Sequence, residues 1–548
     1  MQTIDVIAEI LKREGVGILS CFPTTPVIEA AAAAGIRPII CRQERVGVGI
    51  ADGYSRLTNG DPVGVFAMQY GPGAENAYAG VATAYSDSTP LLLLPLGHPR
   101  DRQGVFPLFS SMSNYAGVTK YIEQINVADR TSDIMRRAFG AIHQGRTGPV
   151  MIEIPADVAL EEISEESFYW SKNVRKLGSQ GDPKDVEAAA KVLCSARYPI
   201  IHAGQGVLLA GATDELVELA ELLAVPVMTT LLGKSAFPEI HPLALGSGSG
   251  VTSGPVQYFM RRSDVVVGIG CSFTKHGMSM NIPSGKTLIH ATNDPRDINK
   301  DYDVEYPIVG DAKLILRQLI EACKEMMGSS EVNRDNVQGE IESQRGQWLS
   351  EWVGKLESSE TPINPYRVIW DFMRTIPPES AVVTHDSGSP RDQIVPFYKS
   401  NGPRTYLGWG KSHGLGTGLG LVIGAKLADP SKMCINFMGD AAFGMTGLDF
   451  ETAVRSDVPI TTVVLNNSTM AVETNAMETS HELYRSRDLG GNYAELGLAM
   501  GGYAERIDNP GDICGAFQRA RQKNNEGTSV LLEFVTSAET AFSHKRPF

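Results

Sequence analysis

The sequence predicts an α/β protein made of three doubly wound parallel-sheet domains, and three observations carry that prediction. Short apolar runs recur along the chain, and longer segments of helical periodicity separate them. The best-marked runs end in Gly-Asp or Asn-Asn, residues that close a strand into a turn. Two polar, apolar-poor stretches, Glu161 to Gly181 and Ser329 to Arg345, divide the alternation into blocks. The blocks span residues 1–160, 182–328 and 362–548, in keeping with a chain of 548 residues at roughly 150 per domain.

In the first block the strand-like runs are Gly17 to Cys21, Pro38 to Cys41, Val63 to Met68, Leu91 to Leu96 and Val150 to Ile154. Continuous rather than alternating apolar character marks strands covered on both faces, as in parallel sheets. The second block repeats the pattern at Ile200 to Ala203, Val225 to Thr229, Val265 to Ile269 and Lys286 to His290. The third offers Ala381 to Val383, Cys434 to Met438 and Ile460 to Leu465, with a helix-like segment from Thr446 to Arg455.

Composition narrows the function classes. Lys plus Arg is 49 against 63 for Asp plus Glu, a net charge of −14, which disfavours nucleic acid and anionic membrane as partners. The seven cysteines are scattered, mostly in apolar runs and without a C-x-x-C pair, and read as buried thiols of a reducing compartment. The apolar run Leu91 to Leu96 is too short to span a bilayer. No apolar signal core opens the chain, so the expectation is a cytoplasmic protein.

The chemistry gathers first in the third block. The run ending at Met438 leads into Gly439-Asp440-Ala441-Ala442, and the run ending at Leu465 leads into Asn466-Asn467-Ser468-Thr469. Ligands of open α/β sheets collect outside the carboxyl ends of strands, so Asp440 and Asn467 can converge on one small volume. Mg²⁺ prefers hard oxygen donors and takes one or two carboxylates beside phosphates and water. The same residues are also common turn formers. This pattern resembles the Mg²⁺-diphosphate motif of thiamine diphosphate (ThDP) enzymes. By that resemblance Asp440, Asn467 and the Thr469 carbonyl are the metal ligands, and Met470, Ala471 and Val472 border the cofactor.

In the first block Glu44 follows the run ending at Cys41 and precedes a Gly-punctuated helix, Val46 to Arg56, near a helix N-terminus that favours an anion. Met68-Gln69-Tyr70-Gly71-Pro72-Gly73-Ala74-Glu75-Asn76 then joins a strand to another helix. Together these stretches resemble the pyrimidine-binding domain of the acetolactate synthase and pyruvate oxidase branch of ThDP enzymes. The resemblance covers essentially the whole chain, as pyrimidine-binding, central and diphosphate-binding domains. It implies that Glu44 contacts the aminopyrimidine and promotes the tautomer that activates the cofactor. Pro23, Gly71 and Asn76 belong to the cofactor's surroundings by the same likeness, and Leu415 supports its bend, though a core leucine would fit the same place. Ser387, Gly388 and Ser389 can offer backbone N–H groups to a diphosphate, as can Ala441 and Ala442.

Gln69, His98 and His413 are the remaining candidates for contact with substrate. The two histidines can shuttle protons near neutrality or be hydrogen-bonded structural groups. Lys120 can pair with an anionic substrate or sit on the surface. The tail from Phe542 to Phe548, basic and aromatic, reads as a frayed terminus or a flap over a cleft. In the second block Gly268-Ile269-Gly270-Cys271-Ser272-Phe273 has Phe273 where a dinucleotide fingerprint needs a third glycine. FAD is therefore possible but not expected.

The function the resemblance implies is a ThDP- and Mg²⁺-dependent lyase or carboligase acting on a 2-oxo acid or related small carbonyl compound. Glu44 of one subunit would face the Asp440 site of another, in a homodimer or homotetramer. Departures from acetolactate synthases stand at Thr24 and Thr25, at His98, and in Met470 to Ala476, which lacks their tryptophan. A 2-hydroxyacyl-CoA lyase, a 2-oxo acid decarboxylase and a diketone-cleaving enzyme stay open within the class. Outside it stand an NAD-dependent dehydrogenase and a noncatalytic ThDP-fold subunit.

Overall fold

In a computed structural model the chain is described over residues 1–170, 176–328 and 336–544. It forms three six-stranded sheets in which every strand pairing is parallel. The first contains β1 (Ile18–Cys21), β2 (Arg37–Ile40), β3 (Gly64–Met68), β4 (Leu91–Gly97), β5 (Tyr121–Gln124) and β6 (Pro149–Pro155), in the order β2-β1-β3-β4-β6-β5. The second contains β7 (Pro199–Ala203), β8 (Val227–Thr229), β9 (Ala244–Ser247), β10 (Val265–Ile269), β11 (Thr287–Thr292) and β12 (Tyr306–Val309), ordered β12-β11-β10-β7-β8-β9. The third contains β13 (Ala381–His385), β14 (Tyr406–Leu407), β15 (Met433–Gly439), β16 (Thr461–Asn466), β17 (Tyr503–Ile507) and β18 (Val530–Val535), ordered β14-β13-β15-β16-β18-β17. The α/β, doubly wound, parallel class is therefore the observed one.

Each sheet reverses its winding once, between β1 and β3, β7 and β10, and β13 and β15. At such a switch point the connections leave in opposite directions and open a crevice beyond the strand ends. All three crevices carry turn residues singled out in the sequence.

The first and third units share one core. Ile39, Phe66 and Leu93 of the first belong to the same apolar cluster as Leu419, Met438 and Phe450 of the third. At its centre the helix Glu44–Thr58 lies against the helix Thr417–Ala428 at very close range. A Cβ at Gly424 would stand 2.0 Å from the Ile50 carbonyl oxygen, and one at Gly53 would stand 2.1 Å from that of Leu421. Only residues without a side chain allow this approach.

Some expectations need correction. The polar stretch Ser329 to Arg345 is only partly connecting: Val337–Leu356 is a helix, held by the buried Ile341 and Trp348. Residues 329–335 of that stretch, and 171–175 of the earlier one, lie outside the described residues. The segment Thr446 to Arg455 begins with the last residue of one helix, passes through a 3₁₀ turn at Gly447–Asp449, and ends in the helix Phe450–Arg455. The tail is not frayed as far as it is described. Ser543 is buried, accepts from Trp348 Nε1 at 2.9 Å and donates to the Thr252 carbonyl at 2.7 Å. Residues 545–548 lie outside the described part. Lys120 closes a helix: its Nζ donates to the carbonyls of Ala141 and Gln144 at the end of Thr131–His143, as cations near helix C-termini do.

Candidate active site

The carboxyl ends of β13, β15 and β16 lie side by side, since β15 pairs with both neighbours up to His385↔Phe437 and Gly439↔Leu465. That register brings together the three turns that follow them. They line a cleft of about 740 Å³ whose walls include Ser387, Gly388, Ser389, Gly439, Asp440, Ala441 and Ala442. Asn467, Thr469, Met470, Ala471 and Val472 close another side, and His413 and Leu415 a further one.

Asp440 opens a short helix, Asp440–Thr446, and is 3% exposed. Its Oδ1 accepts the Ala441 N–H at 2.8 Å, whereas its Oδ2 is buried without a hydrogen-bond partner. Burial pushes this carboxyl up, and the N–H groups of Ala441 and Ser468 hold it partly down. A buried carboxylate oxygen left unpaired is costly unless something cationic meets it. Asn467 Oδ1 accepts the Thr469 N–H at 3.0 Å and the Thr469 carbonyl accepts from Ala471 N at 3.0 Å, so each of these oxygens keeps a second lone pair. A carboxylate beside an amide oxygen and a backbone carbonyl is a donor set that suits a hard cation, which Asp440, Asn467 and Thr469 would hold.

The loop after β13 is organised by a residue the sequence reading passed over. Asp386 is fully buried and receives the N–H groups of Ser387, Gly416 and Gly418 at 2.8 to 2.9 Å. It thereby ties the Ser387–Ser389 turn to the start of the helix behind Leu415. Gly388 takes φ +90°, a conformation for a residue without Cβ, and caps the helix Ser389–Phe397. The Ser387 and Ala441 N–H groups are already taken within their loops, and those of Met470 and Ala471 bind Arg487 and Thr469 carbonyls. The amides left to meet a diphosphate are chiefly those of Gly388, Ser389 and Ala442.

The other predicted residues gather elsewhere. None of Pro23, Glu44, Gln69, Gly71, Asn76 and His98 lines the cleft. They lie beyond the ends of β1, β2, β3 and β4. Glu44 is the first residue of its helix and 4% exposed; burial raises its carboxyl, and a hydrogen bond from Asn76 offsets part of the rise. The Tyr70 and His98 rings meet at a tilt of 40° with their centroids 4.7 Å apart. The chain thus presents two groups of candidate residues, one per flanking sheet.

Met278, Arg391, Gln393, Glu473, Thr536 and Ser537 also line the cleft and were missed. Arg391 follows a glycine-capped turn and was findable there. Met278 comes from beyond β10 of another sheet, which no local pattern announces. At the second sheet's switch point lies a separate cavity of about 130 Å³, bordered by Gly206, Gly270, Cys271, Asn293, Asp297 and Lys411.

Three parallel sheets, with an oxygen-lined crevice on the third and a buried glutamate on the first, match what comparison with known families returns. Residues 1–127 match the N-terminal TPP binding domain of thiamine pyrophosphate enzymes, 186–319 the central domain and 386–534 the C-terminal TPP binding domain. The chain belongs to the thiamine pyrophosphate enzyme family. It is 31% identical, over all of its length and 94% of the other protein, to a probable acetolactate synthase large subunit of Methanococcus aeolicus. Its identity to the corresponding protein of Methanocaldococcus jannaschii is 30%, over 98% and 92% of the two chains. With acetolactate synthase isozyme 3 large subunit of Escherichia coli it is 29%, over 84% and 82%.

Proposed function

We propose that this chain is a ThDP- and Mg²⁺-dependent carboligase of acetolactate synthase type, joining the acyl part of a 2-oxo acid to a second small carbonyl compound. The observation that carries the reading is Asp440, which lines a cleft with Asn467 and Thr469 and whose buried Oδ2 has no hydrogen-bond partner. Asp440, Asn467 and the Thr469 carbonyl would hold the metal, and the free amides of Gly388, Ser389 and Ala442 the diphosphate. When bound, ThDP supplies a site that stabilises carbanion character at the donor carbon.

The chain's own residues then do the rest. Leu415, just before the Gly-rich helix Thr417–Ala428, would support the bend of the bound cofactor. Glu44 would hold a proton at the aminopyrimidine edge, a task suited to a carboxyl raised by burial. Gln69, His98 and His413 offer polar contacts to substrate. Glu44 lies outside the Asp440 cleft of its own chain, which supports a site completed by a second copy, in a homodimer or dimer of dimers. The proposed ligation involves no net redox change, so FAD is not part of the reading. Among the described residues no helix is long and apolar enough to cross a membrane, which suits a cytoplasmic enzyme.

Titrating ThDP with and without Mg²⁺ while following thermal stability tests the reading, since a ligand of the native state raises apparent stability. A ThDP shift that needs Mg²⁺, with turnover on a panel of 2-oxo acids, is expected. A shift with NAD but none with ThDP would overturn it, and ThDP binding without any turnover would point to a noncatalytic subunit.

A further inference from the structure

The Glu44 helix carries a second charged side chain at its start, and that one reaches the third unit. Arg45 directly follows Glu44. A Cβ placed on Gly416 would stand 2.8 Å from Arg45 Nη2, so the guanidinium lies against the turn that opens the Gly-rich helix Thr417–Ala428. The same Cβ would stand 2.8 Å from Thr446 Oγ1, and that hydroxyl donates to the Gly416 carbonyl at 3.0 Å. Thr446 ends the helix that Asp440 begins. At φ +88°, Gly416 is thus the junction of the Glu44 helix, the Asp440 helix and the Leu415 turn, and only a residue without a side chain suits it. Arg45 itself is not part of the cleft lining.

Gly416 is also tied to Asp386. Its N–H donates to Asp386 Oδ1 at 2.9 Å, beside the Ser387 N–H on the same oxygen and the Gly418 N–H on Oδ2, both at 2.8 Å. Burial pushes this carboxyl up to about 6, and the three amides together with the charge of Arg45 hold it partly down. The influence is mutual, since burial lowers Arg45 and the charge of Asp386 offsets part of that. Arg45 Nε is buried without a hydrogen-bond partner. His385, next to Asp386 on β13, is fully buried and pushed well below its usual range, so it stays neutral. Arg45 is therefore the cation that favours an ionised Asp386.

We propose that Arg45 is a positioning residue for the cofactor: it keeps Asp386 ionised, and the ionised Asp386 holds the Gly388–Ser389 turn and Leu415 in place for ThDP. This rests on the function proposed above. An ionised carboxylate accepts from all three amides, and such charge-assisted hydrogen bonds are about twice as strong as neutral ones. A protonated carboxyl carries an O–H where an amide N–H already points, which loosens the turn. One helix start then does two separate jobs. In the shared-site arrangement Glu44 serves the cleft of the second copy, whereas Arg45 steadies the cleft of its own chain.

Calorimetric titration of ThDP at saturating Mg²⁺ across a range of pH compares wild type with Arg45→Met and Arg45→Lys. Binding needs the ionised Asp386, so wild-type affinity falls as pH drops through about 6, and without the guanidinium that fall begins at a higher pH. At pH ~6.5 the dissociation constant of Arg45→Met is expected to rise about three- to tenfold, with lysine closer to wild type and the difference closing by pH ~9. Mixed dimers of Glu44→Gln and Asp440→Asn chains locate the effect. Their one intact site takes Glu44 from the D440N chain and its cleft from the E44Q chain. Adding R45M to the E44Q chain should raise the ThDP concentration for half-maximal turnover, and adding it to the D440N chain should not. A loss of affinity that is the same at every pH, no loss at all, or a loss that follows the D440N chain overturns the proposal. Absence of ThDP binding by wild type overturns the underlying function instead, and mixed dimers without turnover overturn the shared site, with the pH titration still deciding Arg45.

Discussion

Asp440 concentrates the conflict between stability and function at the residue scale. An unpaired oxygen on a residue that is 3% exposed works against the fold, and the proposed cation would relieve it. Asp440→Asn should therefore stabilise the ligand-free protein by about 1 kcal/mol and remove the Mg²⁺-dependent ThDP shift, both read by thermal denaturation. Glu44→Gln keeps the shape of the side chain but not its proton. A loss of ~10²- to 10⁴-fold in kcat with an unchanged melting temperature is expected, and full turnover would remove Glu44 from the mechanism. Asp449 carries a pH effect. It accepts the Arg42 N–H at 2.7 Å and the Thr452 hydroxyl at 2.8 Å, yet burial pushes it up to about 6. Its folded value lies above its unfolded one, so the folded state binds the extra proton between the two. The contribution is then fullest below pH ~4 and declines toward pH 6, with a slope of at most about 1.4 kcal/mol per pH unit. Asp449→Asn should flatten that part of the stability profile.

At the scale of elements, the decisive contact is between the Glu44 helix and the Gly-rich helix Thr417–Ala428. The first begins with a candidate catalytic acid, and the second follows directly on Leu415 and Gly416. Their mutual position therefore relates the two groups of candidate residues. Because a Cβ at Gly424 would fall 2.0 Å from the Ile50 carbonyl oxygen, Gly424→Ala must push the helices apart. A destabilisation of at least ~1–3 kcal/mol is expected in denaturant unfolding, larger than for an alanine placed at the exposed Gly346. The glycines of both helices were visible as punctuation in the sequence, but their partner was not. The edge strands β5, β9, β12, β14 and β17 also went unread. Those such as β5 and β17 are only partly covered and lack a continuous apolar run, so periodicity has little to act on. The inner β18, Val530–Val535, was apolar enough to be read and was still missed.

For the whole molecule, the chain divides its candidate residues between the first and third sheets, and the second sheet lends Met278 to the cleft. If each complete site takes Glu44 from one copy and Asp440 from another, two inactive variants can complement each other. Mixed refolding or co-expression of Glu44→Gln with Asp440→Asn should restore about a quarter of wild-type activity in a random dimer population, since half the dimers are mixed and each holds one intact site. No recovery in verified mixed dimers would mean that the site belongs to a single chain.

The sequence by itself determined the fold class, because continuous apolar runs broken by helical periodicity leave a parallel, doubly covered sheet as the arrangement that buries them. It also determined which residues stand at strand ends, since Gly439-Asp440 and Asn466-Asn467 mark those turns locally. Tertiary structure alone decided which strand ends are neighbours, for the order β13-β15-β16 depends on crossovers that no local pattern encodes. It decided, too, that Asp440 Oδ2 is buried without a partner, that Asp386 gathers three amides and that Arg391 lines the cleft. Those are consequences of distance and desolvation, and both exist only once the sheets have packed.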